Sequence, residues 1–169
     1  MEIVDDFLEE DVFLELQRTI ISKNFPVFFQ DSMDINYNTE LSAYAGDIKS
    51  LNFTHILYDE YEGVVSRFYE WIVEKLFSRY NMKEIIRAKV NCYPRTSRIV
   101  SHHFHSDYSH PHKGAILSLN TCNGLTKFKR GPGVKSIANR VLFFDPSVVH
   151  ASTSCTDQKC RWNIICNYL

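Results

Sequence analysis

The sequence predicts a mainly β fold, a sandwich or a barrel, with flanking helices in its N-terminal part. Three observations carry this. From residue 85 onward, short apolar runs alternate with turn signals at 85–93, 98–100, 103–107, 115–120, 125–129, 134–137, 140–144 and 161–168, a spacing proper to all-β domains. Asn123-Gly124 is a hairpin-type turn, and Gly131-Pro132-Gly133 is a second break. Ahead of these runs the apolar period lengthens to three and four residues, which is the helical period.

The elements follow in order. Apolar residues Leu8, Val12, Phe13, Leu16, Ile20 and Ile21 place an amphipathic helix over about 8–23, with acidic residues in its first turn where the helix dipole favours them. A short strand is expected at 26–29. Residues 31–50 are polar and aperiodic, and read either as a surface connection or as a lid over a substrate. A strand over 53–58 precedes a second helix between Tyr61 and Tyr80, on which Phe68 and Trp71 are core positions. The strand over 85–93 ends at Pro94. In the tail run, alternation sends Arg161, Asn163 and Ile165 to one face, and Trp162 and Ile164 to the other, under the helices.

Composition narrows the class. The 169 residues fit a single domain, 1–169, in which 1–83 supply helical support and substrate-side elements and 84–169 the β core. Apolar residues make up 44% of the chain and aromatic residues 14%, which excludes a disordered chain. A net charge of −1 without a basic cluster argues against a dedicated nucleic-acid-binding module, and no apolar run is long enough for a membrane span. The acidic start Met1-Glu2-Ile3-Val4-Asp5-Asp6 lacks a signal-peptide pattern. The five cysteines are odd in number and none is spaced C-x-x-C. They read as buried reduced thiols rather than disulfides or a zinc site, which points to a cytoplasmic location.

Chemistry concentrates between His102 and Asn167. Ser106 separates His105 from Asp107, so on an extended chain both side chains point to one face. His150 follows forty-five residues later and must be returned by the fold. Two imidazoles and one carboxylate on one face of a metal form the ligand set of non-haem Fe(II) oxygenases. Arg161, eleven residues past His150, offers a planar fork suited to a carboxylate. Four further histidines, His102, His103, His110 and His112, crowd the first pair without metal-ligand spacing. Solvent-facing or substrate-side roles are expected for them.

Taken in order, Tyr93-Pro94-Arg95-Thr96, His103-Phe104-His105-Ser106-Asp107, Leu119-Asn120, Gly124-Leu125-Thr126-Lys127-Phe128, Asn139-Arg140-Val141-Leu142-Phe143-Phe144, His150-Ala151-Ser152 and Arg161 resemble the Fe(II)- and 2-oxoglutarate-dependent oxygenase superfamily. The likeness is to its small prolyl 4-hydroxylase-like members of phage and bacterial type, and it covers roughly residues 84–169. The resemblance selects a double-stranded β-helix, a cupin-like jelly roll. It implies His105, Asp107 and His150 as catalytic iron ligands and Arg161 as the seat of the distal carboxylate of 2-oxoglutarate, with Tyr93 beside it. Asn163 stands where relatives often carry Ser or Thr, and Asn91 shares the face of Tyr93, so both are candidates for the co-substrate. Asn120 and Thr126 match the family pattern, and Asn139-Arg140 is expected to fix a strand entrance.

The implied activity is hydroxylation of an unidentified substrate, a prolyl, peptidyl or amino-acid residue or a small molecule, using O2 and releasing succinate and CO2, with ascorbate as a reductant. For a phage-encoded chain the location would be the host cytoplasm. Related halogenases replace the carboxylate ligand with a small residue, so Asp107 favours hydroxylation. Two rival readings stand beside this one. The first is an inactive β-sandwich binding or virion-associated module. The second is a cupin-like metalloenzyme that does not use 2-oxoglutarate.

Overall fold

The structure, a computed structural model, describes residues 1–30, 51–77, 80, 82 and 84–169. Strands are β1 (Glu2–Val4), β2 (Phe28–Gln30), β3 (Asn52–Asp59), β4 (Gly63–Val64), β5 (Ile85–Pro94), β6 (Lys113–Ser118), β7 (Leu125–Phe128), β8 (Val134–Lys135), β9 (Val141–Phe144), β10 (His150–Ser152) and β11 (Cys160–Tyr168). Helices are α1 (Glu10–Ile20) and α2 (Tyr69–Phe77). The main antiparallel sheet runs β1-β9-β6-β11-β5-β3-β2, with β4 paired to β3, and a small sheet runs β10-β7-β8. This is the mainly β sandwich that the alternating runs allow, of the jelly-roll type that the resemblance selects.

Alternation along the strands gives the main sheet two chemically different faces. One face carries Ala88, Val90, Ala115, Leu117, Val141, Ile164 and Cys166, and buries Leu16 and Ile20 of α1 with Ile72 and Leu76 of α2. Leu16, Ile20 and Ile72 are fully buried, and each such side chain contributes roughly 1.5–3 kcal/mol. Trp162 packs against this cluster, so the tail strand has the predicted parity. The helical stripe that makes this possible is Phe13, Leu16 and Ile20. Gln17 adds a polar tie, its Nε2 donating to the carbonyl of Leu119 at 2.6 Å. The other face turns toward the small sheet. Ile116, Leu142 and Phe144 form a second apolar cluster there with Val134, and Phe128 and Ile165 pack against it.

The first residues are clasped to this framework. β1 pairs with β9, and Asn139, at φ 61, accepts from the N–H of Leu8 and donates to its carbonyl. Arg140 forks onto Asp5, so Asn139-Arg140 does fix a strand entrance.

Several elements depart from the expectation. The second helix begins at Tyr69, not near residue 61, because Gly63 takes φ +77 and turns the chain back into β4. The runs 98–100 and 103–107 form no strand. They make single bridges, Ser101 to Thr153 and His105 to His150. Between these bridges one side advances from 101 to 105 while the other runs from 153 to 150. The extra residue prevents a continuous ladder, as a β-bulge does. The run 134–137 is reduced to Val134–Lys135. The proposed lid at 31–50 lies outside the described residues. Among the described residues no helix is long and apolar enough to cross a membrane.

Candidate metal and co-substrate site

The bulge presents the first ligand pair. His105 exchanges both backbone hydrogen bonds with His150 at 2.9 Å, which holds the two rings with centroids 4.8 Å apart. The N–H of Asp107 donates to the carbonyl of Pro146 at 3.0 Å and folds the next turn over the same spot. The ligand atoms of His105, Asp107 and His150 lie within 4.8 Å of one another. Nδ1 of His105 faces the carbonyl of His103 at 3.0 Å, and Nδ1 of His150 faces the carbonyl of Val148 at 2.9 Å. A carbonyl only accepts, so both Nδ1 atoms carry the proton and both Nε2 lone pairs are free for a metal. Burial lowers the basicity of His150, which keeps that ring neutral.

Asp107 is braced from two sides. Arg87 Nη2 stands 3.1 Å from Oδ1, and Asn167 Nδ2 donates to Oδ2 at 2.9 Å. Arg87 also donates to Asn167 Oδ1 at 3.2 Å, closing a triangle. Burial by itself would raise the carboxyl, but Arg87, His150, Lys89 and Asn167 together outweigh it and hold Asp107 at about 2. The carboxylate is therefore ionised, oriented and ready to ligate.

Arg161 lies elsewhere on the same inner face and is 1% exposed. Its Nη1 donates to the carbonyls of Leu125 (2.9 Å) and Thr153 (3.3 Å), and Nη2 donates to Thr126 Oγ1 at 3.0 Å. The guanidinium sits 5.6 Å from the centroid of the Tyr93 ring. Tyr93 in turn stacks on His102, whose Nδ1 meets Ser152 Oγ at 2.7 Å. Nε of Arg161 is buried with no hydrogen-bond partner. Nε and the second Nη2 hydrogen lie along one edge of the guanidinium, and among the described residues no carboxylate pairs with it. Arg161 is thus a buried cation whose hydrogen bonds all go to neutral oxygens and whose Nε has no hydrogen-bond partner.

A pocket adjoins the cluster of His105, Asp107 and His150. Arg87, Lys89, Tyr93, His105, Asp107, Ile116, Thr126, His150, Ser152, Asn163 and Ile165 line it. Of the sequence candidates, His105, Asp107, His150, Tyr93 and Asn163 reach its wall, whereas Arg161 does not line it and meets it through Thr126 and Tyr93. Asn91 is buried beside it and spends its amide on Asn163 Oδ1 (3.1 Å) and on Thr54 Oγ1 (3.1 Å), within a ladder that continues to Asn52. Asn120 holds the start of β11 through the N–H of Trp162 and the carbonyl of Cys160.

Two histidines are not where solvent-facing or substrate-side roles would put them. His102 is 3% and His112 is 7% exposed. The extra residue in the bulge breaks strict alternation, so His102 turns inward to Ser152 while His105 still faces the pocket. His112 packs behind Asp107, its Nε2 3.2 Å from Asn167 Nδ2.

Sequence reasoning missed Arg87, Lys89 and Asn167. The signal was present in the alternation. Residues 87 and 89 precede Asn91 and Tyr93 by even steps on one strand, and Asn167 continues the face of Arg161, Asn163 and Ile165. The five cysteines are free thiols. Cys122, Cys155 and Asp157 do form a second group of potential ligands, but both oxygens of Asp157 accept from the N–H of Asn123 at 3.0 Å, capping the turn.

No family model matches the chain, and no curated sequence matches it. Solved structures do. A prolyl hydroxylase from Trichoplax adhaerens, in complex with a hypoxia inducible factor oxygen degradation domain peptide fragment, superposes with a TM-score of 0.62 over 99% of this chain and 82% of its own, at 16% identity. A Pseudomonas putida prolyl-4-hydroxylase also gives 0.62, over 99% and 91%, at 11% identity. HygX from Streptomyces hygroscopicus, with nickel and 2-oxoglutarate bound, gives 0.62 over 98% and 81%, at 8% identity. At these identities the likeness is one of fold, and the fold is the one that the sequence resemblance implies.

Proposed function

We propose that this chain is an Fe(II)- and 2-oxoglutarate-dependent dioxygenase that hydroxylates its substrate and releases succinate and CO2. His105, Asp107 and His150 hold the metal, and Arg161 with Thr126 receives the distal carboxylate of the co-substrate beside Tyr93. The observation that carries this reading is the state of Arg161. It is a buried guanidinium whose bonds all go to neutral oxygens and whose Nε is unpartnered, on the same inner face as a two-histidine, one-carboxylate cluster. A metalloenzyme without 2-oxoglutarate has no use for such a cation, and a relic binding module has no reason to keep both centres.

Bound at the cluster, iron(II) supplies oxygen activation coupled to oxidative decarboxylation of 2-oxoglutarate. The chain supplies the rest. The Nδ1 bonds of His105 and His150 fix the tautomer that leaves Nε2 open. Arg87 and Asn167 keep Asp107 charged and aimed. The open edge of Arg161 orients the co-substrate, and Ile116 and Ile165 keep the pocket wall dry. The neighbours support both a peptidyl residue and a small molecule as substrate, since one was solved with a peptide fragment and another with hygromycin B.

The test is succinate formation from 2-oxoglutarate by the Fe(II)-loaded protein in air. Turnover that requires both Fe(II) and O2 is expected. Its absence from a folded, iron-loaded sample would overturn the reading.

A further inference from the structure

Accepting the dioxygenase reading, one cation in the pocket is left unused. Lys89 projects from β5 into the pocket, two residues from Arg87 and on the same face. Among the described residues no carboxylate or hydrogen-bond acceptor pairs with it. Among the described residues Asp107 is the single acid that acts on it, and Asp107 is already committed to Arg87 and, in this reading, to the metal. Arg161 does not share its task. Tyr93, which pairs with Arg161, stands four residues farther along β5, about 13 Å at the rise of a strand. The cross-strand neighbours of Lys89 are Ile165, on the pocket wall, and Ile56, which is 40% exposed at the outer side. The ammonium thus stands between the apolar wall of the pocket and a partly exposed strand neighbour. Among the described residues that line the pocket, Arg87 and Lys89 are the basic side chains beside the histidines and Asp107 is the one acid. Burial lowers Lys89 to about 7, with Arg87 adding to the effect and Asp107 opposing it, so an anion beside it would also restore its charge.

We infer that the substrate carries an anionic group, a carboxylate or a phosphate ester on an apolar stem, and that Lys89 is the residue that binds it. An ammonium left unpaired in a partly dry pocket is costly, and among the described residues this face offers it no free anion, a place that a substrate anion would fill.

The test uses the iron-loaded protein and a small-molecule extract of cells, split on an anion exchanger into retained and unretained fractions. Succinate formation is measured with each fraction and without either. The retained fraction is expected to stimulate turnover. Lys89→Met should raise the amount needed for half-stimulation about 30-fold or more, as removal of a buried ion-pair partner does, while Lys89→Arg recovers most of the response. Phosphatase treatment of the fraction separates the two sources: lost stimulation identifies a phosphate ester, and retained stimulation a carboxylate. Stimulation confined to the unretained fraction, stimulation by neither, or a Lys89→Met response equal to wild type overturns the inference. So does a loss of 2-oxoglutarate affinity in Lys89→Met as large as the loss of stimulation, which would place Lys89 in the co-substrate site. If no succinate forms under any condition, the dioxygenase reading itself has failed.

Discussion

Replacing Arg161 by alanine separates the two halves of the proposed site. The variant keeps every metal ligand and removes the open guanidinium edge. Two effects act on the ligand-free protein with opposite signs. Thr126 Oγ1 and the carbonyl of Thr153 lose a donor, and each unsatisfied buried group costs about 1–3 kcal/mol. The carbonyl of Leu125 keeps the N–H of Thr153 at 3.1 Å. Against this, a buried cation without a counter-ion disappears, which relieves its desolvation. The melting temperature of the metal-loaded, ligand-free variant therefore falls only modestly. The ligand-bound state changes far more. Losing one partner of a buried charge pair costs about 2–5 kcal/mol, so 2-oxoglutarate affinity drops roughly 30- to several-thousand-fold. At a concentration one hundred times the wild-type dissociation constant, 2-oxoglutarate stabilises the wild type by about 2.7 kcal/mol, a rise of roughly 5–11 °C for a chain of this size. The same concentration should move the variant by at most about a third of that, roughly 2–4 °C at a 30-fold loss and almost nothing at the larger losses. Anaerobic thermal shifts with Mn(II) in place of iron read this directly, and a Mn(II) titration should give the same affinity for both proteins. If the variant shows the full shift with 2-oxoglutarate, Arg161 is a brace for the loops around Thr126 and Thr153, and the co-substrate assignment is wrong.

Three further outcomes follow from the geometry. His105→Ala, Asp107→Ala and His150→Ala should each abolish metal binding in a Mn(II) titration while leaving the circular dichroism of the sheet intact, and Asp107→Gly should lose hydroxylation. A variant that binds metal as the wild type does removes its residue from the ligand set. A β-carbon on Gly124 would lie 2.8 Å from both Arg161 Cδ and the carbonyl of Ser154, so Gly124→Ala should cost about 1–3 kcal/mol and weaken 2-oxoglutarate binding without touching metal affinity. An unchanged 2-oxoglutarate titration would show that Arg161 can shift without loss. Burial holds His102 down at about 4, with Arg161, His103 and His105 adding to the effect. Its folded pKa is below its unfolded value near 6.5, so the unfolded chain binds the extra proton. Stability is then complete above about pH 6.5 and is lost as pH falls toward 4, by on the order of 3 kcal/mol. Denaturant midpoints of His102→Gln should be flatter across that window, and a slope equal to wild type would assign the acid sensitivity to other groups.

What the sequence revealed and what it hid have separate physical causes. The tail strand was legible because period-two alternation survives there: Ile164 and Cys166 lie under the helices, while Asn163 and Ile165 face the pocket. The grouping of His105, Asp107 and His150 was legible through residue type and order. Its braces were not, because Arg87 meets Asp107 across twenty residues and Asn167 meets it across sixty, and no local pattern marks such contacts. Alternation would have exposed Arg87 and Lys89 as inward charges had it been followed back from Tyr93. The bulge before His105 carries no glycine or proline, so nothing in 101–105 announces the extra residue that turns His102 inward.

The two faces of β5 also bear on how the chain finds its pairing. This strand lies between β11 and β3 in the middle of the sheet, with Ala88 and Val90 against the helices and Arg87, Lys89 and Asn91 against the pocket. A slip of one residue would drive two cations into the space beside Leu16 and Ile20 and turn Ala88 and Val90 into the pocket. Each unpaired charge so buried costs several kcal/mol, more than any contact the slipped form could gain. The residues that equip the site for chemistry thereby act during folding as a ratchet against misalignment. A pocket evolved toward neutral side chains would lose that proofreading along with its ligand.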